Sequence, residues 1–503
     1  MGLVLLLAAC GSAEFASHDS GPLDQADESG DPARLEPADG SSNWTRFRGP
    51  NGSGVADDVG PLPTRFGPET NVVWTVPLPP GYSSPIVSGA DLVITGVEEE
   101  RLMTIALDRA TGRERWRATM HAPRQEELDT RNHPASASPA VDDAGHVYVF
   151  FGDFGLVSYD AAGAERWRVP LGPFTNVYGM GASPIVAEGL VILVCDQQQG
   201  SFLLAVDSAT GAVRWRTPRP EAKSGHSSPV LWTAEDGTRH VLVAGSFMVT
   251  GYDLLSGNRQ WWVGGLPFEM KATPVLSGDM LFVQGYASPF NEADEQMVVE
   301  AWADTVAQHD DDGDGLISRD EFPHVRTRGY ILYLDLDGDG AMNEEDWAYY
   351  RAAMASRNGM VAMRLGGAGD MTAQSLLWRY DRAVSQLTSP LLYQGVLYMI
   401  NDGGIVTAFR PRTGELIDRQ RLRGAVDDYY ASPVAADGKV YFVGVSGKVA
   451  VAEVDAGGEL QLTVVNDLGS PSAATPALAE GRLYMRTASA LWAFGESMPP
   501  GSN

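Results

Sequence analysis

Residues 182–215 read ASPIVAEGLVILVCDQQQGSFLLAVDSATGAVRW. Ser183-Pro184 opens the stretch, and Val191–Val194 and Phe202–Val206 are apolar runs of strand length. Asp207-x-x-Thr210-Gly211 is a turn signature, and Trp215 closes the unit. The pattern predicts three short strands and part of a fourth, joined by turns.

The same unit recurs along the chain. Ser/Thr-Pro pairs followed by apolar residues stand at Ser84, Ser138, Ser183, Ser228, Thr273, Ser389, Ser432 and Thr475. The steps between their prolines are 54, 45, 45, 45, 116, 43 and 43 residues. A period of roughly 40–50 residues built from short strands marks a β-propeller. Eight openings predict an all-β fold of eight four-stranded blades.

An Asp-turn-Trp signature accompanies the openings. Asp108…Gly112…Trp116, Asp160…Gly163…Trp167, Asp207…Gly211…Trp215 and Asp253…Gly257…Trp261 are full copies, whereas Arg364…Trp378 and Arg410…Gly414 are degenerate. The last opening is followed by only three apolar runs, and Val72–Val76 is an orphan run carrying a Trp before the first opening. That run is expected to complete the eighth blade and close the ring, removing an exposed sheet edge.

The 116-residue step exceeds its neighbours by about 71 residues, and the excess falls between Leu281–Gly285 and Met360–Leu365. Within it, Asp310-x-Asp312-x-Asp314-Gly315-Leu316-Ile317-Ser318-x-x-Glu321 is an EF-hand calcium loop. Its carboxylates, its glycine, the Leu316 carbonyl and a terminal Glu fall where calcium needs them. A second loop begins 25 residues later: Asp335, Asp337, Asp339, Gly340, Ala341 (carbonyl), Asn343 and Asp346. Asp346 is one methylene shorter than Glu, so weaker or more magnesium-tolerant binding is expected there. Helices are expected over roughly 292–308, 319–332 and 343–356, and Ile317 should pair with the partner loop.

Charge is concentrated. Lysine and arginine total 37 against 65 acids, a net −28. Residues 14–39 contribute −7 and residues 292–358 contribute −12, which leaves −9 for the ring. A weakly acidic ring argues against nucleic-acid partners.

The segments entering each first strand line one face of the ring near its channel. Arg131, Asn132, His133, Asn176, Tyr178, His226, Lys271, Gln386, Asp428 and Tyr429 are the candidate ligand-binding residues. The calcium insertion, lying between second and third strands, belongs to the same face. No nucleophile elbow, zinc-type cluster or phosphate loop occurs, and Gly49–Gly54 reads as a turn. Cys195 lies in an apolar strand and reads as a core thiol.

These repeats, with the Ala-x-Asp-x-x-Thr-Gly-x-x-x-Trp motif, resemble the pyrroloquinoline-quinone-type propeller repeat family over about residues 43–286 and 359–495. The leader Trp44-Thr-Arg-Phe-Arg-Gly-Pro-Asn-Gly52 is similar to that of a bacterial quinone-binding-like branch. The family's enzymes oxidise alcohols or sugars with the quinone and a bound calcium. No Cys-Cys pair and no Cys-x-x-Cys-His haem motif stands here, and these absences weigh against bound pyrroloquinoline quinone and against catalysis. A more distant resemblance is to the propeller lipoprotein that scaffolds the outer-membrane barrel-assembly machinery, whose role is protein binding. Met1–Cys10 (MGLVLLLAAC) resembles a bacterial lipobox with Cys10 as the lipidated residue.

The expected order is a lipoprotein-type signal at 1–10, a disordered acidic tether at 11–42, propeller at 43–286, the EF-hand pair at 287–358, propeller at 359–495 and a disordered tail at 496–503. The expected function is a calcium-binding, membrane-anchored scaffold, exported to the periplasm or cell surface and held at the outer membrane. Its partner is a protein or an envelope polysaccharide. The alternatives are a quinone-dependent alcohol or sugar dehydrogenase and a polysaccharide-binding propeller.

Overall fold

The computed structural model describes residues 44–496 except 58, 123, 125–127, 153 and 293–294. The signal segment, Cys10, the tether and the tail beyond Glu496 lie outside the described residues.

Eight antiparallel four-stranded blades form the ring. The opening stretch is blade three: Ile185–Ala187, Leu190–Cys195, Phe202–Asp207 and Val213–Pro218, paired in sequence order. Its two middle strands are almost wholly buried, and its outermost strand alternates exposed and half-buried residues. Middle strands covered by blades on both sides read as continuous apolar runs, whereas the outermost strand keeps the period-two alternation of a half-solvated sheet. Cys195 is buried in that middle strand.

The eighth blade comprises Ala477–Ala479, Arg482–Arg486, Ala490–Gly495 and, from the other end of the chain, Val72–Pro77. Val76 pairs with Leu491 and Thr75 with Trp492. The orphan strand therefore closes the ring.

Two contacts recur at the joints. The first explains the Ser/Thr-Pro openings. Seven of the eight opening residues donate the backbone N–H to the hydroxyl of the next opening residue: Ser84 to Ser138, Ser138 to Ser183, Ser183 to Ser228, Thr273 to Ser389, Ser389 to Ser432 and Ser432 to Thr475, all at 2.9–3.0 Å. Thr475 then donates to Ser84 at 3.0 Å. These bonds make a belt around the channel, open only between Ser228 and Thr273 among the described residues.

The second explains the Gly…Trp spacing. Trp167 donates its indole N–H to Ser208 O in the next blade's turn at 3.0 Å, and its ring lies flat against Gly211. Trp74, Trp116, Trp215 and Trp378 repeat the bond to Arg109, Ala161, Leu254 and Pro411. A Cβ on Gly211 would stand 2.8 Å from the Trp167 ring, and its φ of +74° also favours glycine.

The degenerate fifth blade breaks this pattern. Its third strand, Gly359–Arg364, is followed by a loop whose Gly369–Asp370 segment pairs in parallel with Trp261–Trp262 of blade four. With no Asp-turn to receive it, the Trp261 indole N–H finds no partner among the described residues.

The leader spans the channel. Trp44 exchanges two backbone bonds with Val87 of blade one, and Thr45 O accepts from Val141 of blade two. Asn51 exchanges two bonds with Leu231 of blade four. The fully buried Arg48 donates to Gly52 O, Ser53 O and Pro390 O of blade six. Gly54 O accepts from Ala435 of blade seven. The Pro50–Gly52 turn is as expected, but its place across the channel is visible only in the fold.

Candidate functional site

Two sites share the blade-entry face: the insertion in blade five and the cavity in the channel. The insertion leaves the ring after Met280–Gly285 and returns at Gly359–Arg364. Its helices are Trp302–His309, a 3-10 turn Val325–Tyr330 running into Ile331–Leu334, and Glu344–Ala355. The first begins ten residues later than expected: no helix occupies the described residues of 292–300. There the chain lies beside 324–326 instead, through Glu295–Arg326 at 3.4 Å and Glu300–His324 at 2.9 Å. The central helix also begins later and is mostly 3-10, because few residues separate the two loops.

Ile317 pairs with Met342 in a two-stranded bridge, as the spacing requires. Both are buried in a core that includes Phe322, Leu334 and Trp347 and reaches the ring through Phe268.

Both loops are wound around their first carboxylate. The Asp310 oxygens accept Gly313 N–H and Gly315 N–H at 2.8 and 3.0 Å; Asp335 accepts Gly338 and Gly340 at 2.7 and 2.8 Å. The residues at the end of each loop also match. Glu321 accepts from Asp311 and Ser318, and Asp346 accepts from Leu336 and Asn343. Asp346 closes a capping box with Asn343 at the start of the last helix.

In the first loop, oxygens of Asp310, Asp312 and Asp314 lie within 4.8 Å of one another; in the second, those of Asp335, Asp337 and Asp346 do. The shorter Asp346 thus stands inside its group, whereas Asp339 does not. Neighbouring carboxylates raise one another's affinity for a positive charge. Among the described residues no lysine or arginine pairs with these six. Convergent, uncompensated oxygens suit a hard divalent cation such as calcium.

The channel cavity measures about 200 Å³. Its walls come from the eight blade entries, and Phe47 of the leader also lines it. Among the candidates, Arg131, Asn132, Tyr178, His226 and Lys271 line it. The remaining five do not. His133 packs against Tyr82 and its Nδ1 accepts Ala135 N–H. Asn176 is buried, donating to Asp196 O and accepting from Tyr178 N–H. Gln386 yields to Leu387, its chain neighbour. Asp428 is exposed, and Tyr429 is buried with its hydroxyl donating to Ala425 O. Alternation turns Tyr430 to the cavity in place of Tyr429.

Charges at the wall are paired. Arg131 is bidentate to Asp129 at 2.7 and 3.0 Å, and this bond raises its pKa. Lys271 Nζ lies 2.6 Å from the buried Glu269. Burial raises the Tyr178 phenol, with Glu269 adding to the effect.

Tyr178 also joins the two sites. Its ring stacks on Tyr333 of the insertion at 5.3 Å between centroids, and Arg131 lies 5.2 Å from the same ring. Tyr333 stands two residues before Asp335, the first carboxylate of the second loop. The last helix docks on blade four, with Tyr349 edge-on to Phe247 at 5.4 Å and Glu345 3.4 Å from Lys223. The sequence shows both tyrosines but carries no signal of their contact, which depends on how the insertion leans.

The family of outer membrane protein assembly factor BamB matches residues 98–264 and 262–497, from the first blade to the last. The chain belongs to this family. A curated relative, the outer membrane protein assembly factor BamB of Bordetella pertussis, is 29% identical over 181 residues, 35% of this chain and 43% of the relative. The match thus spans less than half the length of that relative. BamB from Moraxella catarrhalis superposes with a TM-score of 0.52 at 13% identity, over 86% of this chain and 99% of that one. A europium-containing methanol dehydrogenase gives 0.53 at 9% identity, over 91% and 99%. At these identities the structures share the fold alone. The chain is a quinone-type repeat propeller related to BamB.

Proposed function

We propose that this chain is a non-catalytic, protein-binding propeller of the cell envelope that works in outer-membrane protein assembly and carries calcium in its fifth-blade insertion. The observation that carries the reading is the family match running from the first blade to the last. The joints between blades support it. Belt bonds, indole bonds and the leader tie blades to one another and so position the entry loops that a partner would meet.

Calcium would be held in the first loop by Asp310, Asp312, Asp314, Glu321 and the Leu316 carbonyl, with Ser318 acting through water. In the second loop the set is Asp335, Asp337, Asp339, Asn343, Asp346 and the Ala341 carbonyl. When bound, the ion neutralises the clustered carboxylates and ties each loop to the helix after it. Outside the cytoplasm, EF-hands work at roughly 10⁻⁴–10⁻³ M calcium, so the ion serves structure rather than signalling. A lipid on Cys10 would hold the ring at the outer membrane.

The experiment is photo-crosslinking from insertion and entry-loop positions in the native cell, beside a deletion strain. Capture of an outer-membrane assembly component, with reduced outer-membrane β-barrel proteins in the deletion, is expected. Unchanged β-barrel levels and no protein adduct would overturn the reading.

A further inference from the structure

The channel cavity is furnished for a neutral, hydroxyl-rich ligand. Its charges already face partners: Arg131 with Asp129, and Lys271 with Glu269. An entering carboxylate or phosphate would meet those acids, and an entering ammonium would meet those cations. Either must disrupt a close ion pair, at a cost in desolvated charge.

The belt hydroxyls supply the matching chemistry. Each accepts a neighbour's N–H, which leaves its own proton to give. Those of Ser84, Ser183, Ser228, Ser389, Ser432 and Thr475 line the cavity, and none donates to another group among the described residues. A hydroxyl both donates and accepts, as do the hydroxyls of a sugar. His226, on the same wall, adds a buried Nε2 with no partner among the described residues.

Phe47, Tyr82 and Tyr430 add aromatic rings to the lining. The negative face of an aromatic ring attracts polarised C–H groups such as those on one face of a pyranose. Size narrows the ligand further. About 200 Å³ is below the roughly 300–1,000 Å³ of sites for drug-sized molecules. The leader crosses one end of the channel, so a longer molecule would insert only its terminal unit.

We infer that the channel cavity binds one neutral sugar ring, presented as the end of a saccharide entering from the insertion face. This goes beyond the scaffold reading and stands whether or not that reading holds.

The test is saturation-transfer NMR on the full chain with methyl β-glucoside, mannose and N-acetylglucosamine, beside glucuronate and inorganic phosphate. Transfer to at least one neutral sugar, exceeding that to glucuronate or phosphate, is expected. Ala473→Trp fills the cavity from a partly exposed position and should weaken binding roughly tenfold. Tyr430→Ala removes an aromatic ring from the lining and gives the same comparison if the first variant melts early. No transfer to any neutral sugar, preference for glucuronate or phosphate, or transfer unchanged in the folded variants would overturn the inference.

Discussion

The backbone N–H of Thr475 donates to Ser84 Oγ at 3.0 Å, joining the last blade to the first across 391 residues of sequence. Both residues are about 2% exposed. Ser84→Ala would leave that N–H buried without a partner, at a cost of about 1–3 kcal/mol. Ser84→Thr keeps the oxygen and should lose less. Urea titration checks this: the midpoint falls with the slope unchanged for Ala. Equal stability of the Ala variant and wild type would remove the belt from the account.

The blade joints give a second prediction. Gly211→Ala forces a Cβ against the Trp167 ring and strains a left-handed backbone, so a loss above about 1 kcal/mol is expected. Trp167→Phe forfeits the bond to Ser208 O and should cost about 1–3 kcal/mol. Because the two residues touch, the double variant should fall short of the sum of the singles, a coupling measurable by a double-mutant cycle.

Arg48 is buried with three backbone carbonyls and no acid, and burial pushes its guanidinium down to about 9. Arg48→Ala leaves those carbonyls unpaired and empties the space the side chain fills. A loss of roughly 3–5 kcal/mol is expected, the range for breaking buried charged interactions. The check is the thermal midpoint, with proteolysis at the leader read in parallel.

Acid should destabilise the ring in a defined window. Burial pushes His133 down to about 4, with Arg486 adding to it, and His226 down to about 3, with Lys271 adding. Unfolded, both protonate near 6.5. A folded pKa below the unfolded one means stability is complete above about pH 6.5 and declines as pH falls toward about 3–4. Denaturation midpoints from pH 8 to 4 should show the decline, and His133→Gln should flatten part of it. An unchanged profile in that variant would contradict the assignment.

Much of this was legible because a propeller repeats its errors and its rules alike. The Ser/Thr-Pro spacing set the blade count, and the missing fourth strand of the last blade pointed to Val72–Pro77. The EF-hand spacing placed Ile317 opposite Met342. Legibility failed where contacts are long-range and unrepeated. Nothing local in Arg46–Gly54 says that it crosses a channel. Tyr430 rather than Tyr429 faces the cavity because of one step of backbone alternation in an irregular loop. The Gly369–Asp370 edge strand arises from a blade whose turn motif has degenerated, so no repeat announced it.

Hydrogen exchange on the full chain, with calcium and with chelator, tests the central claim most directly. The account predicts that calcium raises protection across 302–355 and around Tyr178, whose ring meets Tyr333, while the remaining blades exchange alike in both states. Equal protection of the insertion with and without calcium, or cooperative loss of the whole ring on chelation, would contradict it.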